Sequence, residues 1–209
     1  AEQVKAAGIR IESTTSAVLH ERIELHGHVI PREDGWARVT SRFPGVVRSA
    51  PAKIGQSVGR GDVLATIESN QSLQAIEVRS PLSGVVVDRD VVAGEVVSPD
   101  RALFEVADLS SVVVELDVFR KDFARVAPGQ PVWVDPGDGS APLESIVDTF
   151  APLSSPWTQT RAARAIVANE ARRLQPGLFT KTEIEVATVN APVAVRGDAV
   201  QRLRNWDVV

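Results

Sequence analysis

Apolar residues in this chain fall mainly on alternate positions, in short runs bounded by glycine and proline. The alternation is clearest in Arg22–Ile30, through Ile23, Leu25 and Val29, and again in Val112–Val118. A period of two places successive side chains on opposite faces of a strand, and Gly/Pro clusters between such runs are typical of turns. The pattern therefore predicts a mainly β protein.

Two segments have helical features. Val118–Val126 places Phe119 and Phe123 at helical spacing ahead of a Pro-Gly stop, and this spacing predicts a short helix. Ala162–Leu174 is rich in alanine and arginine, which favour helices, but its apolar residues also fit a period of two. We interpret Arg164–Asn169 as a strand followed by a turn.

The chain repeats itself once, at an offset of 39 residues, so that Phe43–Glu68 aligns with Leu82–Ala107 without a gap. Each copy has the pattern of three short strands around a glycine turn, with an apolar face that it cannot bury alone. Two such copies facing each other predict a small β-sandwich over residues 38–107. The matched pairs are Gly45 and Gly84, Val46 and Val85, Val47 and Val86, Gly55 and Gly94, Val58 and Val97, Leu64 and Leu103, and Ile67 and Val106.

The sandwich is flanked by further strand-like segments. We predict that residues 21–36 and 109–187 form a small closed β-barrel in which the sandwich is nested. Residues 1–20 and 188–209 are expected to meet as a third β unit, which is incomplete because the last residues lie inside a strand-like segment. The four tryptophans are spread over these units and are expected to be core or seam residues.

Composition narrows the function. With 209 residues and 44% apolar content the chain is large enough for a buried core, and its net charge of −4 gives no basic surface for nucleic acid. The absence of cysteine excludes disulfides and thiolate metal sites, and the absence of methionine even at position 1 predicts a processed chain that has lost an N-terminal segment. No nucleophile elbow, phosphate loop or dinucleotide motif is present, so we predict no enzyme, no catalytic residue and no bound cofactor.

The duplicated sandwich resembles the biotinyl/lipoyl carrier domain. Carriers attach their acyl group to a lysine at the tip between the two halves. Gln71 stands near that position, and no lysine occurs between Lys53 and Lys121. The sandwich is therefore predicted to be lipoyl-like in fold but without a covalent swinging arm.

His26 and His28 lie two residues apart, so that on a strand both imidazoles point to one face. With a carboxylate such as Glu24 or Glu33 they could bind Zn²⁺, which would make the protein a soluble periplasmic zinc chaperone or sensor. The other interpretation is that they are two partly exposed strand histidines beside a glycine.

The order and spacing of several motifs resemble the periplasmic adaptor subunits, or membrane fusion proteins, of resistance–nodulation–division (RND) efflux pumps, and most closely their heavy-metal branch. The motifs are Gly45-Val-Val with Val58–Ala65, Ile67–Gln74 with Val78–Val86, Leu109–Leu116 with Gly129-Gln-Pro-Val132, Leu174–Phe179, and Pro192–Val195 with Asn205–Val209.

This resemblance implies a non-enzymatic adaptor, anchored to the inner membrane by the removed N-terminal segment, that links an inner-membrane RND pump to a tripartite system for divalent metal cations. It also implies self-association into a ring, while residues 188–209 would belong to a membrane-proximal unit. Between Glu68 and Ala75 there is room only for a turn, so the helical hairpin of many adaptors is either naturally absent or has been removed. We favour a naturally hairpin-less adaptor, because Asn70-Gln-Ser-Leu73 is typical of a natural turn, and direct contact with an outer-membrane channel is then doubtful. Lateral contacts between sandwiches are predicted on two turns, at Gly59, Arg60, Asp62, Pro99, Asp100 and Arg101.

Overall fold

The computed structural model describes residues 13–69, 74–203 and 206–208. The chain divides into two compact units, Glu24–Ile184 and the pair of segments Ala1–Ile23 with Glu185–Val209. None of the described residues lies in an α-helix, and among them no helix is long and apolar enough to cross a bilayer. The predicted mainly β fold is confirmed.

The strands are β1 (Thr15–Pro31), β2 (Trp36–Thr40), β3 (Gly45–Ser49), β4 (Ser57–Val58), β5 (Val63–Ser69), β6 (Ala75–Arg79), β7 (Gly84–Arg89), β8 (Val96–Val97), β9 (Ala102–Ala107), β10 (Ser111–Phe119), β11 (Pro131–Val134), β12 (Leu143–Ser154), β13 (Thr160–Ala168), β14 (Phe179–Ala194), β15 (Gln201–Leu203) and β16 (Trp206–Val208). Short 3₁₀ turns lie at Glu33–Gly35, Arg120–Asp122 and Gly197–Ala199.

Six strands close into a barrel in the order β1-β10-β13-β12-β11-β14. Its most regular pair is β10 with β13, which runs from Ser111 opposite Ala168 to Phe119 opposite Thr160. The alternation noted in the sequence places Val112, Val114, Leu116 and Val118 of β10 inside the barrel. A closed barrel leaves no strand edge unpaired, and the N-terminal strand β1 is needed to close it, as predicted.

Two four-stranded sheets, β2-β9-β7-β4 and β6-β5-β3-β8, form the sandwich inserted between β1 and β10. Each half of the repeat places its short middle strand on the other half's sheet, since β4 pairs with β7 and β8 pairs with β3. The two halves therefore close against each other as expected. They share one core, whose largest members are Phe104, Leu64, Ile67 and Leu103.

The repeat in the structure is longer than the repeat that the sequence shows. Strand β2 begins at Trp36 and β6 begins 39 residues later at Ala75, and each pairs with the last strand of the opposite half. Trp36 lies opposite Ala107, and Ala75 lies opposite Glu68, which is the equivalent pair in the other half. The two halves are thus related throughout by a pseudo-twofold axis.

The predicted helix over Val118–Val126 is wrong. Strand β10 continues to Phe119, a 3₁₀ turn covers Arg120–Asp122, and a loop follows. The nine-residue segment is too short to be a stable helix by itself, and pairing of Phe119 with Thr160 of β13 keeps its beginning extended. The predicted strand Arg164–Asn169 is confirmed by β13.

The second unit contains the outer parts of β1 and β14 together with a small hairpin in which β15 pairs with β16. Within it, Nδ1 of His20 lies 2.9 Å from Oε1 of Glu185, which also accepts a hydrogen bond from the Thr188 hydroxyl at 2.7 Å. These contacts hold the pKa of Glu185 below its ordinary value, with the Thr188 hydrogen bond as the largest cause.

Candidate functional site

The two turns predicted to make protein contacts lie at opposite ends of the sandwich. Gly59 follows Val58, which pairs with Gly84 at the end where the chain enters and leaves the barrel. Ser98 follows Val97, which pairs with Gly45. Gly45 also pairs with Ser69, the last residue of β5, so this turn lies at the tip of the sandwich that is far from the barrel. The pseudo-twofold axis therefore relates the turns to each other.

The Gly59 turn is fixed to the segment that follows β6. The amide of Gly59 donates to Oδ2 of Asp62 at 2.7 Å, and the amide of Arg60 donates to the Ser83 hydroxyl at 3.0 Å. The Arg79 guanidinium also donates to the Gly61 carbonyl at 2.6 Å. The side chain of Arg60 remains exposed on this ordered turn, so its predicted role in a contact stays open.

In the second turn, Arg101 is committed to contacts within its own domain. Its Nε donates to Oδ2 of Asp90 at 2.9 Å, and Nη1 is hydrogen-bonded to Glu95. These side-chain hydrogen bonds lower the pKa values of Asp90 and Glu95 and raise that of Arg101. Pro99 and Asp100 are the exposed residues of this turn that remain available to a neighbour.

The tip of the sandwich joins β5 to β6 through residues 70–74. The amide of Ser69 donates to the Gln74 carbonyl at 3.1 Å, which closes the connection between two adjacent strands. Gln71, near the lysine position of carrier domains, lies outside the described residues. So short a connection has no room for a long helical hairpin, as predicted.

His26 and His28 lie on one side of β1, because the residues between and beside them, Leu25, Gly27 and Val29, are buried. His26 is exposed. His28 is partly exposed, with its Nε2 3.3 Å from Oε2 of Glu115.

The carboxylates expected to join the two histidines are engaged elsewhere. Glu24 lies 2.6 Å from the Lys181 ammonium, and Glu33 lies 3.0 Å from Arg164. Within the described ranges, no group of three or more His, Asp or Glu side chains is placed to bind a metal ion. Zinc binding by His26 and His28 therefore stays an untested alternative, and the two paired carboxylates lend it no support.

Glu115 and Arg164 form a barrel ion pair that the sequence did not indicate. They lie directly opposite each other on β10 and β13, with Nε of Arg164 2.8 Å from Oε1 of Glu115. Nη1 of the same guanidinium reaches Glu33 in the turn that leads to the sandwich, so one arginine joins the barrel wall to the connecting segment. The hydrogen bonds to Glu33 and Glu115 raise the pKa of Arg164. The pair could be found in the sequence only if the register of the two strands were known.

An open apolar groove of about 650 Å³ lies beside His28, between β1, Trp36 and the segment Pro176–Phe179. Its only titratable lining residue is His28. The other lining side chains, which include Trp36, Pro176 and Phe179, are apolar.

The far end of the barrel carries the most exposed aromatic residue of unit Glu24–Ile184. We call Leu153–Thr160, which joins β12 to β13, the Trp157 hairpin. The side chain of Trp157 is 93% exposed and that of Leu153 is 81% exposed. The expectation that all tryptophans are core or seam residues is thus wrong for Trp157, and also for Trp206, because both lie in short hairpins and are largely exposed among the described residues.

The chain is similar to known efflux proteins over its whole length. Residues 35–108 match the family model described as CzcB-like, barrel-sandwich hybrid domain, and residues 111–188 match the one described as CusB-like, beta-barrel domain. The Cation efflux system protein CzcB of Alcaligenes sp. (strain CT14) and the Cobalt-zinc-cadmium resistance protein CzcB of Cupriavidus metallidurans are each 26% identical to it over 279 residues. The match covers 100% of this chain and 54% of each relative, so the chain spans about half the length of these proteins.

Two solved structures share the fold. ZneB from Cupriavidus metallidurans superposes with a TM-score of 0.68 at 20% identity, covering 81% of this chain and 100% of that one. MacA from Actinobacillus actinomycetemcomitans superposes with a TM-score of 0.71 at 17% identity, covering 94% of this chain and 90% of that one.

Proposed function

Because this chain belongs to the membrane fusion proteins, the adaptor family of heavy-metal RND efflux pumps, we propose that it links an inner-membrane RND transporter to the rest of a tripartite efflux system. The proposed role is non-enzymatic and periplasmic, with an N-terminal segment as the anchor to the inner membrane. Divalent metal cations are the proposed substrate class, since two relatives that match the whole chain are named for cation efflux and for cobalt, zinc and cadmium resistance.

The observation that carries this proposal is the way the sandwich is joined to the barrel. Two short connections, from β1 to β2 and from β9 to β10, run side by side, and the Asp108 amide donates to the Gly35 carbonyl at 2.7 Å between them. Two paired connections resist twisting more than bending. This arrangement suits an element that transmits the movement of a pump.

The short tip limits the proposed partners. The stretch that matches the CzcB relatives runs over 279 residues, whereas this chain has 209. The relatives therefore carry residues within the matched stretch that this chain lacks. We propose contact with the transporter and with further copies of the adaptor in a ring, and no direct reach from the sandwich tip to an outer-membrane channel.

Co-purification of the intact protein from membranes tests the proposal. The tagged adaptor should retain the RND transporter, and light scattering should show an assembly larger than one protomer. A protein that stays monomeric and retains no transporter would refute it.

A further inference from the structure

The Trp157 hairpin presents large apolar side chains at the barrel end opposite the sandwich. Strand β13 starts at Thr160, opposite Phe119 at the end of β10, while the sandwich joins the other end of β10 at Ser111. Phe119 is also nearly half exposed. Trp157, Leu153 and Phe119 therefore give this end of the barrel exposed apolar side chains, with nothing else of unit Glu24–Ile184 packed over Trp157.

Internal hydrogen bonds hold the hairpin in one conformation. The Ser155 amide donates to the Thr160 carbonyl at 2.9 Å, and the Gln159 amide donates to the Ser155 carbonyl at 3.0 Å. The Thr158 hydroxyl is 2.6 Å from that of Thr160, which donates to Asp117 on β10 at 3.1 Å. At its base, the Arg161 guanidinium lies 3.9 Å from the centre of the Phe150 ring.

Two cationic side chains lie beside Phe119. Arg120 and Lys121 directly follow Phe119, and both side chains are exposed. In the described part of the chain neither forms an ion pair. The nearby Asp122, by contrast, is buried and lies 3.4 Å from Arg125, and Asp117 accepts the Thr160 hydrogen bond. In a chain with a net charge of −4, two cations that form no ion pair among the described residues thus lie next to the exposed Phe119.

We propose that the Trp157 hairpin docks into an apolar pocket of a protein partner whose rim carries carboxylates. A loop fixed before binding loses little conformational entropy on docking, and tryptophan is among the residue types enriched at the energetic hot spots of interfaces. A lipid surface would also attract tryptophan beside cations. However, even a single myristoyl chain binds a protein to a bilayer only weakly and reversibly, and this tip offers only two or three apolar side chains.

This inference rests on the proposed adaptor function, which supplies the protein partner to test. It adds the location and the chemistry of the contact: Trp157 and Leu153 fill the pocket, while Arg120 and Lys121 meet the acidic rim. Such charges set the rate and the salt dependence of association more than its final affinity.

The test uses the intact chain and the purified RND transporter that it serves, held in nanodiscs of uncharged lipid. Binding is measured by biolayer interferometry at low and high salt for wild type, Trp157→Ala and the pair Arg120→Glu/Lys121→Glu. Trp206→Ala is the matched control, because its side chain is also largely exposed, in the other compact unit. Circular dichroism establishes that each variant is folded.

We expect Trp157→Ala to weaken the Kd by about 30-fold or more. The charge-reversed pair should lose most of the salt dependence, and Trp206→Ala should bind like wild type. Binding of Trp157→Ala with the same Kd as wild type would overturn the inference while leaving the adaptor function standing. Trp157-dependent binding to phosphatidylglycerol vesicles without transporter would also overturn it, in favour of a lipid surface. If wild type does not bind the transporter, the proposed function fails and this inference fails with it.

Discussion

Gly45 and Gly84 occupy equivalent positions in the two halves of the sandwich, and each is pressed against a carbonyl of the neighbouring strand. A β-carbon at Gly45 would lie 2.2 Å from the Glu68 oxygen, and one at Gly84 would lie 2.3 Å from the Ala107 oxygen. Glu68 and Ala107 are themselves equivalent in the repeat. The two glycines are thus required by the same close approach of strands, which occurs once in each half.

Replacing either glycine by alanine should destabilise the sandwich, because the strands must move apart to admit the methyl group. We expect Gly45→Ala and Gly84→Ala each to lower the free energy of unfolding by about 1–3 kcal/mol, and by similar amounts. Urea unfolding followed by fluorescence measures this. Gly59→Ala is the control, since the nearest atom to its β-carbon would be at an ordinary 3.5 Å. Equal stability of Gly45→Ala and Gly59→Ala would contradict the close approach.

Asn169 is a buried residue that fixes the connection after β13. Its Nδ2 donates to the Leu109 and Leu174 carbonyls at 3.1 and 2.8 Å, and its Oδ1 accepts from the Leu174 amide at 2.9 Å. Asn169→Asp would turn an ionised carboxylate toward two carbonyl oxygens, so we expect a loss of about 3 kcal/mol at neutral pH.

This loss should shrink as the pH falls. The pKa of the carboxyl introduced by Asn169→Asp would be raised in the folded state, so the variant would regain stability once that carboxyl is protonated and can donate. Thermal unfolding between neutral and mildly acidic pH measures the effect, with the exposed Asn190→Asp as control. A destabilisation that does not change with pH would count against the assigned hydrogen bonds.

Asp138 gives a pH dependence of the opposite sign. Hydrogen bonds from Ser140, and then one from Arg173, hold its pKa well below the ordinary value. A depressed folded-state pKa stabilises the protein above the pKa of the unfolded chain, about 4, and this contribution is lost as the pH falls through the folded-state value. Asp138→Asn should therefore lower the Tm at neutral pH and lose its effect at strongly acidic pH.

The control for this prediction is Asp100→Asn, which removes an exposed carboxylate that forms no ion pair among the described residues. It should leave the Tm profile close to that of wild type. If Asp138→Asn and Asp100→Asn gave the same profile, the Ser140 and Arg173 contacts would not be stabilising.

Zinc titration separates the adaptor from the zinc chaperone alternative. His28 faces Glu115, which is already paired with Arg164, and Glu24 and Glu33 are paired with cations, so we expect no tight site at His26 and His28. Isothermal titration should then show the same weak signal for wild type and for His26→Ala/His28→Ala. Micromolar or tighter binding that the double variant loses would support the alternative.

The sequence predicts the sandwich well because its two halves carry the same glycines and valines at the same spacing. It misses that β2 and β6 belong to the repeat, because most of their equivalent residues, such as Trp36 and Ala75 or Arg38 and Glu77, share no side-chain character. Apart from Val39 and Val78, which are equivalent and both buried, their equivalence lies in the backbone pairing, and residues at the edge of a sheet need not be similar to pair.

The contact surfaces are less predictable than the fold. Periodicity indicates that Val118–Val126 is apolar on one side, but pairing of β10 with β13 decides that its first residues are extended. Exposure of Trp157 depends on what packs over a hairpin, and the Glu115–Arg164 pair depends on strand register. Neither property is encoded within a short window of sequence.

The most direct test of the proposed adaptor function is metal retention in cells that contain the RND transporter. After loading with zinc or cadmium, cells that lack this protein should retain as much metal as cells that lack the transporter. Cells that lack both should retain no more metal than either single deletion. Restoring the intact chain should return retention to the wild-type level. Unchanged metal retention in cells that lack only this protein would contradict the account.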